Sequence, residues 1–226
     1  SGIIRLTADF EASRIDDCKV LGEKSFLITL KPENKPINHS PWYAFKVEAD
    51  QATDISVAIE ISGGLKNRYL PKFSHDMKTW HLHSYQDKGE RLELKIKASS
   101  QAVYIAGQEI INNQYYVDWA NGLQDLSYVS YTQLATSQQG RPISKIESRG
   151  ASNEWLVILG RLHPPEITGA LALFPFVETL LANNEVAANF RKNYNILIIP
   201  NVNPDGVAMG NWRHNANGID LNRDWI

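Results

Sequence analysis

The hydrophobic pattern of the chain changes partway along, and that change limits what it can fold into. From residue 1 to about 115, short runs alternate apolar and polar residues with period two: Ser25–Leu30, Trp42–Val47, Ile55–Glu60 and Arg91–Ile96. Such alternation suits strands with one covered face. Turn-forming stretches, Lys31–Pro36, Ser62–Gly64 and Asp87–Gly89, separate the runs at the spacing of a small antiparallel sandwich. After Gln133 the pattern differs. Glu154–Gly160 is a continuous apolar run, as in strands buried on both faces, and Asn195–Pro200 is a second. Between them Thr168–Leu181 carries apolar residues at helical spacing. Strand, helix, strand makes a parallel βαβ unit. The expected fold is therefore α+β in two domains: a β-sandwich over residues 1–115, then over 116–226 the start of an α/β domain with a mixed sheet.

Composition narrows the function classes. The chain of 226 residues is 43% apolar and 21% charged, with a formal charge of −2. It has no basic excess with which to neutralise phosphates, so nucleic acid is not an expected partner. The longest apolar runs fall far short of the roughly 20 residues that cross a bilayer, so no membrane span is expected. Ser1-Gly2-Ile3-Ile4 lacks an initiator Met and the basic-then-apolar layout of a secretory signal. It reads as a tag remnant or a processed end, and the expected compartment is the cytoplasm. Cys18, the single cysteine, reads as a small packed or exposed thiol.

In open α/β sheets, ligands sit outside the carboxyl ends of the strands, and the polar clusters of this sequence fall there. His163-Pro164-Pro165-Glu166 puts an imidazole and a carboxylate three residues apart in the loop after the first buried run. Nitrogen plus carboxylate oxygen suits zinc, and a catalytic zinc takes three protein ligands, so a third must come from elsewhere. The bare spacing arises easily by chance; the position gives it weight. The second cluster runs from Asn203-Pro204-Asp205-Gly206 through Arg213 to Asn222-Arg223. Asn-Pro-Asp-Gly is a turn signal in its own right, and either arginine could be a solvated surface charge. Beside a metal loop, however, the guanidinium of Arg223 with the amide of Asn222 could hold a carboxylate. His81 and His83 alternate on an expected strand and read as surface histidines.

Gly160–Glu166, Ile199–Val207, Gly210–Arg213 and Gly218–Trp225 together closely resemble the M14 metallocarboxypeptidases, most of all the cytosolic carboxypeptidase subfamily. The motif-bearing likeness covers about residues 130–226, and Trp42–Phe45 and Pro71–Trp80 carry a looser one. The resemblance implies a β-sandwich ahead of a carboxypeptidase-like catalytic domain. It makes His163 and Glu166 the first two ligands of one Zn2+, Arg213 the group that polarises the scissile carbonyl, and Asn222 with Arg223 the holders of the substrate's terminal carboxylate. The implied substrate is a peptide or protein C-terminus. Pro165 stands where the subfamily has Gly. In the family a third ligand, a His, and a general-base Glu come after the Asn-Arg pair, and the chain ends at Ile226, so this piece alone is expected to be inactive. His39, His75, His81, His83 and His214 lack a matching context. Competing readings are a zinc deacylase resembling aspartoacylase and succinylglutamate desuccinylase, and a non-catalytic binding module. The leading reading predicts that His163 and Glu166 leave the carboxyl end of a strand and converge within reach of one ion.

Overall fold

The computed structural model describes residues 2–34 and 39–225, so Lys35 and Pro36 of the expected Lys31–Pro36 turn lie outside the described residues. Two compact units divide the chain. One comprises residues 1–110 with 209–212, the other 111–208 with 213–226.

The first unit is built from β1 (Ile4–Thr7), β2 (Asp17–Gly22), β3 (Ser25–Leu30), β4 (Ala44–Ala49), β5 (Thr53–Ile61), β6 (Lys72–Ser74), β7 (His81–Leu82), β8 (Tyr85–Asp87), β9 (Arg91–Ala98) and β10 (Val103–Ala106). They form two sheets, ordered β1-β4-β10-β6-β7 and β2-β3-β5-β9-β8. Alternation decides which side chains meet between them. Phe26, Ile28 and Leu30 of β3, Ile55, Val57 and Ile59 of β5, and Leu92, Leu94 and Ile96 of β9 join Phe45 and Val47 of β4 and Ile105 of β10 in one buried cluster. One pair departs from the expected antiparallel pattern: β3 and β5 run parallel. The chain leaves β3, crosses as β4 in the opposite sheet and returns as β5, the long connection that a parallel pair needs. Residues 209–212 are fastened into this unit. The Trp212 N–H donates to the Glu33 carboxylate, and Gly210 (φ +64°) lies so close to the chain that a Cβ there would sit 2.5 Å from the Ser13 carbonyl oxygen.

The second unit contains α1 (Asn113–Asn121), β11 (Ser130–Thr136), β12 (Pro142–Ser148), β13 (Trp155–Leu159), α2 (Ile167–Leu180), α3 (Glu185–Asn193), β14 (Asn195–Ile199) and α4 (Pro204–Met209). Asn112 and Asn184 accept from the Tyr115 and Ala187 N–H groups and so cap α1 and α3. The sheet order is β11-β12-β14-β13, with β13 and β14 parallel and the other pairs antiparallel. Ile146, Ile196 and Ile198 present one face of the sheet to Leu173, Val177 and Leu181 at α2 and to Ala120 and Leu123 at α1. Glu154–Gly160, expected to be buried on both faces, has one covered face within these 226 residues. Among the described residues β13 pairs only with β14, at the sheet edge, and Trp155 and Val157 are 41% and 53% exposed. Among the described residues helices cover the opposite face, where Ile158 packs.

Tyr43 is fully buried in the sandwich core, and its hydroxyl has no hydrogen-bond partner among the described residues. Burial pushes its pKa up. Because an unpaired buried hydroxyl costs its desolvation, Tyr43→Phe is expected to leave stability unchanged or raise it by about 1 kcal/mol in denaturant unfolding. A marked loss of stability would show that the hydroxyl is bonded.

Candidate metal centre

The parallel pairing of β13 with β14 sets where the His163 loop begins. The Gly160 N–H donates to the Ile199 carbonyl at 2.9 Å, and the Val202 N–H donates to the Gly160 carbonyl at 3.1 Å, so the two strand exits stay side by side. A Cβ on Gly160 would lie 2.5 Å from the Pro200 carbonyl oxygen; only glycine fits. His163 to Glu166 then closes a turn, with the Glu166 N–H on the His163 carbonyl at 3.3 Å, and α2 starts at the next residue. Glu166 takes the N-cap position without capping; its carboxylate turns to the imidazole instead.

His163 is buried with a carboxylate at each ring nitrogen. Nδ1 lies 2.9 Å from Glu166 Oε1, and Nε2 lies 2.9 Å from Asp220 Oδ1. Burial pushes the Asp220 pKa up, but bonds from the His163 ring, the Asn222 N–H and the Arg213 guanidinium outweigh it and leave a net lowering, so Asp220 is ionised at neutral pH. An ionised Asp220 accepts Nε2–H, the arrangement that fixes the tautomer of metal-binding histidines. In the neutral ring Nδ1 is then an acceptor facing another acceptor on Glu166. Two acceptors 2.9 Å apart need a cation between them, either a proton or a metal. Two ligands of a tetrahedral zinc, each at about 2.0–2.2 Å, stand about 3.3 Å apart, so this donor pair fits the ion with little adjustment.

The remaining predicted residues surround Asp220. Arg213 Nη1 donates to Asp220 Oδ2 at 3.2 Å, and the Asn222 N–H donates to Asp220 Oδ1 at 3.0 Å. The Asn222 and Arg223 side chains are exposed, with the Arg223 N–H on the Asp220 carbonyl at 2.9 Å. His214 is buried, and among the described residues no third His, Cys, Asp or Glu joins a group fit to hold a metal. Three residues that matter here went unassigned in the sequence reading: Asp220, Arg161 and Asn203. Only Asp220 left a usable signal, an acid two positions before Asn222. Asn203 is buried, donates through Nδ2 to the Leu162 carbonyl at 3.1 Å, and accepts the Gly206 N–H at 3.0 Å.

Two family models match: one described as zinc carboxypeptidase over residues 116–226, the other as the cytosolic carboxypeptidase N-terminal domain over residues 6–107. An uncharacterized protein of Zymomonas mobilis is 25% identical over 229 residues, covering 98% of this chain and 59% of that protein. Human cytosolic carboxypeptidase 6 is 30% identical over 120 residues, covering 50% of this chain and 24% of that protein. The crystal structure of a metallo-carboxypeptidase from Burkholderia cenocepacia superposes with a TM-score of 0.84 at 23% identity, covering 99% of this chain and 62% of that one. At that identity the superposition establishes the fold. The chain belongs to the M14 metallocarboxypeptidase family and is most like its cytosolic carboxypeptidase subfamily. It spans less than two thirds of the length of each of these relatives.

Asp205, in the same strand-exit segment, is almost fully buried and holds the β11–β12 turn. Its carboxylate accepts from the Ser137 hydroxyl at 2.7 Å, the Arg141 guanidinium at 2.9 Å and the Gln139 N–H at 3.0 Å. Burial pushes its pKa up, but the three bonds win and lower it. A lowered folded pKa means that the stabilisation is present above the unfolded value of about 3.9 and is lost as pH falls through the folded value. Asp205→Asn is expected to cost about 2 kcal/mol at pH 7 and to flatten the loss of stability on acidification, measured by thermal unfolding from pH 7 to pH 3.

Proposed function

We propose that the protein acts as a zinc-dependent carboxypeptidase that hydrolyses the last peptide bond of a peptide or protein substrate in the cytoplasm. The observation that carries this reading is the 2.9 Å approach of the His163 Nδ1 acceptor to the Glu166 carboxylate, with Asp220 on the other ring nitrogen. His163 Nδ1 and Glu166 would hold the zinc, and Asp220 would keep the ring in the tautomer that frees Nδ1. Bound zinc supplies a water whose pKa is lowered to about 7 and a Lewis acid for the carbonyl. Arg213 donates to the scissile carbonyl oxygen as negative charge develops on it, and its bond to Asp220 sets its starting position. Asn222 and Arg223, exposed and adjacent, grip the terminal carboxylate through an amide and a guanidinium fork. On this reading residues 1–115 are the β domain and 116–226 belong to the catalytic domain.

Two protein ligands do not complete a catalytic zinc site. By themselves the 226 residues are expected to hold zinc weakly and to turn over peptide at least about 10²-fold more slowly than a longer form that adds a third ligand and a general base. The test measures bound zinc and C-terminal amino-acid release in both forms, with His163→Ala and Glu166→Gln in each. The expected result is loss of zinc and turnover in both variants of the longer form. Turnover that survives His163→Ala, or that needs no metal, would rule the reading out.

A further inference from the structure

Arg161 is two residues before His163, and its backbone lies in the left-handed region at φ +56°, where a residue with a Cβ is strained. Its side chain is 8% exposed. Nε donates to the Pro164 carbonyl, the centre of the His163–Glu166 turn, and Nη1 donates to the Tyr116 hydroxyl of α1 at 2.8 Å. The guanidinium also lies 5.8 Å from the centre of the Tyr116 ring. Tyr116 is itself fixed, buried in a cluster with Ile111, Ile167, Ala170 and Phe174. Among the described residues both hydrogen bonds of this buried cation go to neutral oxygens, and no carboxylate pairs with it. Charge pairing therefore does not account for its burial, which carries a desolvation cost.

Geometry does account for it. Pro164 and Pro165 fix two backbone φ angles between His163 and Glu166, and neither has an N–H with which to anchor the turn to its surroundings. Carbonyl oxygens are the backbone handles left at the centre of the turn, and the guanidinium of Arg161 reaches that of Pro164 and α1 at once. A lysine ammonium has no such fork. We infer that Arg161, braced by Tyr116, is a positioning residue that sets the His163 Nδ1 to Glu166 spacing before an ion arrives. The inference rests on the proposed zinc site and adds to it the device that pre-forms it.

The test uses the 226-residue chain, and also the longer form, titrated with zinc against a chromogenic chelator. Ring ¹⁵N NMR follows the His163 Nδ1 resonance in parallel. Wild type is expected to bind zinc with a shift at His163 Nδ1. Arg161→Gln is expected to weaken binding about 10–100-fold, the usual effect of losing a group that orients a metal ligand, and to change the metal-free His163 Nδ1 position. Tyr116→Phe is expected to show the same changes at smaller size. Arg161→Gly relieves the φ strain, and millimolar guanidinium ion is expected to restore its zinc affinity, which a purely structural role would not produce. Equal affinity and an unchanged Nδ1 resonance in Arg161→Gln, with wild type binding normally, would overturn this inference and leave the zinc reading standing. Zinc-independent His163 resonances in wild type would overturn the zinc reading itself. If Arg161→Gln fails to fold by circular dichroism, Tyr116→Phe decides, and unchanged affinity in that variant overturns the inference.

Discussion

A buried imidazole with a carboxylate against each nitrogen is stable only if positive charge lies in the plane of the ring, and His163 is in that situation between Glu166 and Asp220. The charge can be a proton or a metal. Asp220 meets half of it by accepting Nε2–H, which leaves Nδ1 as the nitrogen facing the partly exposed Glu166 carboxylate. The protein side of the site is therefore polarised in one direction, from a shielded carboxylate through the ring to an open one.

The backbone around this ring is arranged to keep it there. Parallel pairing of β13 with β14 places two strand exits together, and close approaches at Gly160 and Gly206 let the following loops pack without a Cβ in the way. At Gly206 a Cβ would lie 2.6 Å from both Asn203 Nδ2 and the His214 carbonyl oxygen. Asn203 then bonds the carbonyl that precedes His163, so the loop after one strand holds the loop after the other. Loops that lie on a rigid sheet edge and bond to one another lose less order than free loops, and a metal site depends on that order.

Much of this was legible in the sequence, for identifiable reasons. Strands β3, β5 and β9 follow from alternation because each has one face in the sandwich core and one in solvent. Strands β6, β7 and β8 have two or three residues apiece, too few for a period to show. The run at β13 reads as a doubly covered strand, and within these 226 residues it has one strand neighbour and one covered face. His163 and Glu166 were legible from spacing and strand position. The bond from His163 to Asp220 spans 57 positions and was not, because a through-space contact leaves no local pattern. Arg161 was hidden for a different reason: its role depends on a left-handed backbone and a buried tyrosine, neither of which composition signals.

The central claim is that His163 presents Nδ1, and Glu166 its carboxylate, to a single metal ion. Anomalous diffraction at the zinc absorption edge, from crystals of the zinc-loaded protein, tests it most directly. The account predicts one peak within about 2.0–2.2 Å of both His163 Nδ1 and a Glu166 carboxylate oxygen, with Asp220 still bonded to Nε2. A peak on Nε2, or one confined to the surface around Phe73, where His75, His81 and His83 gather, would contradict it.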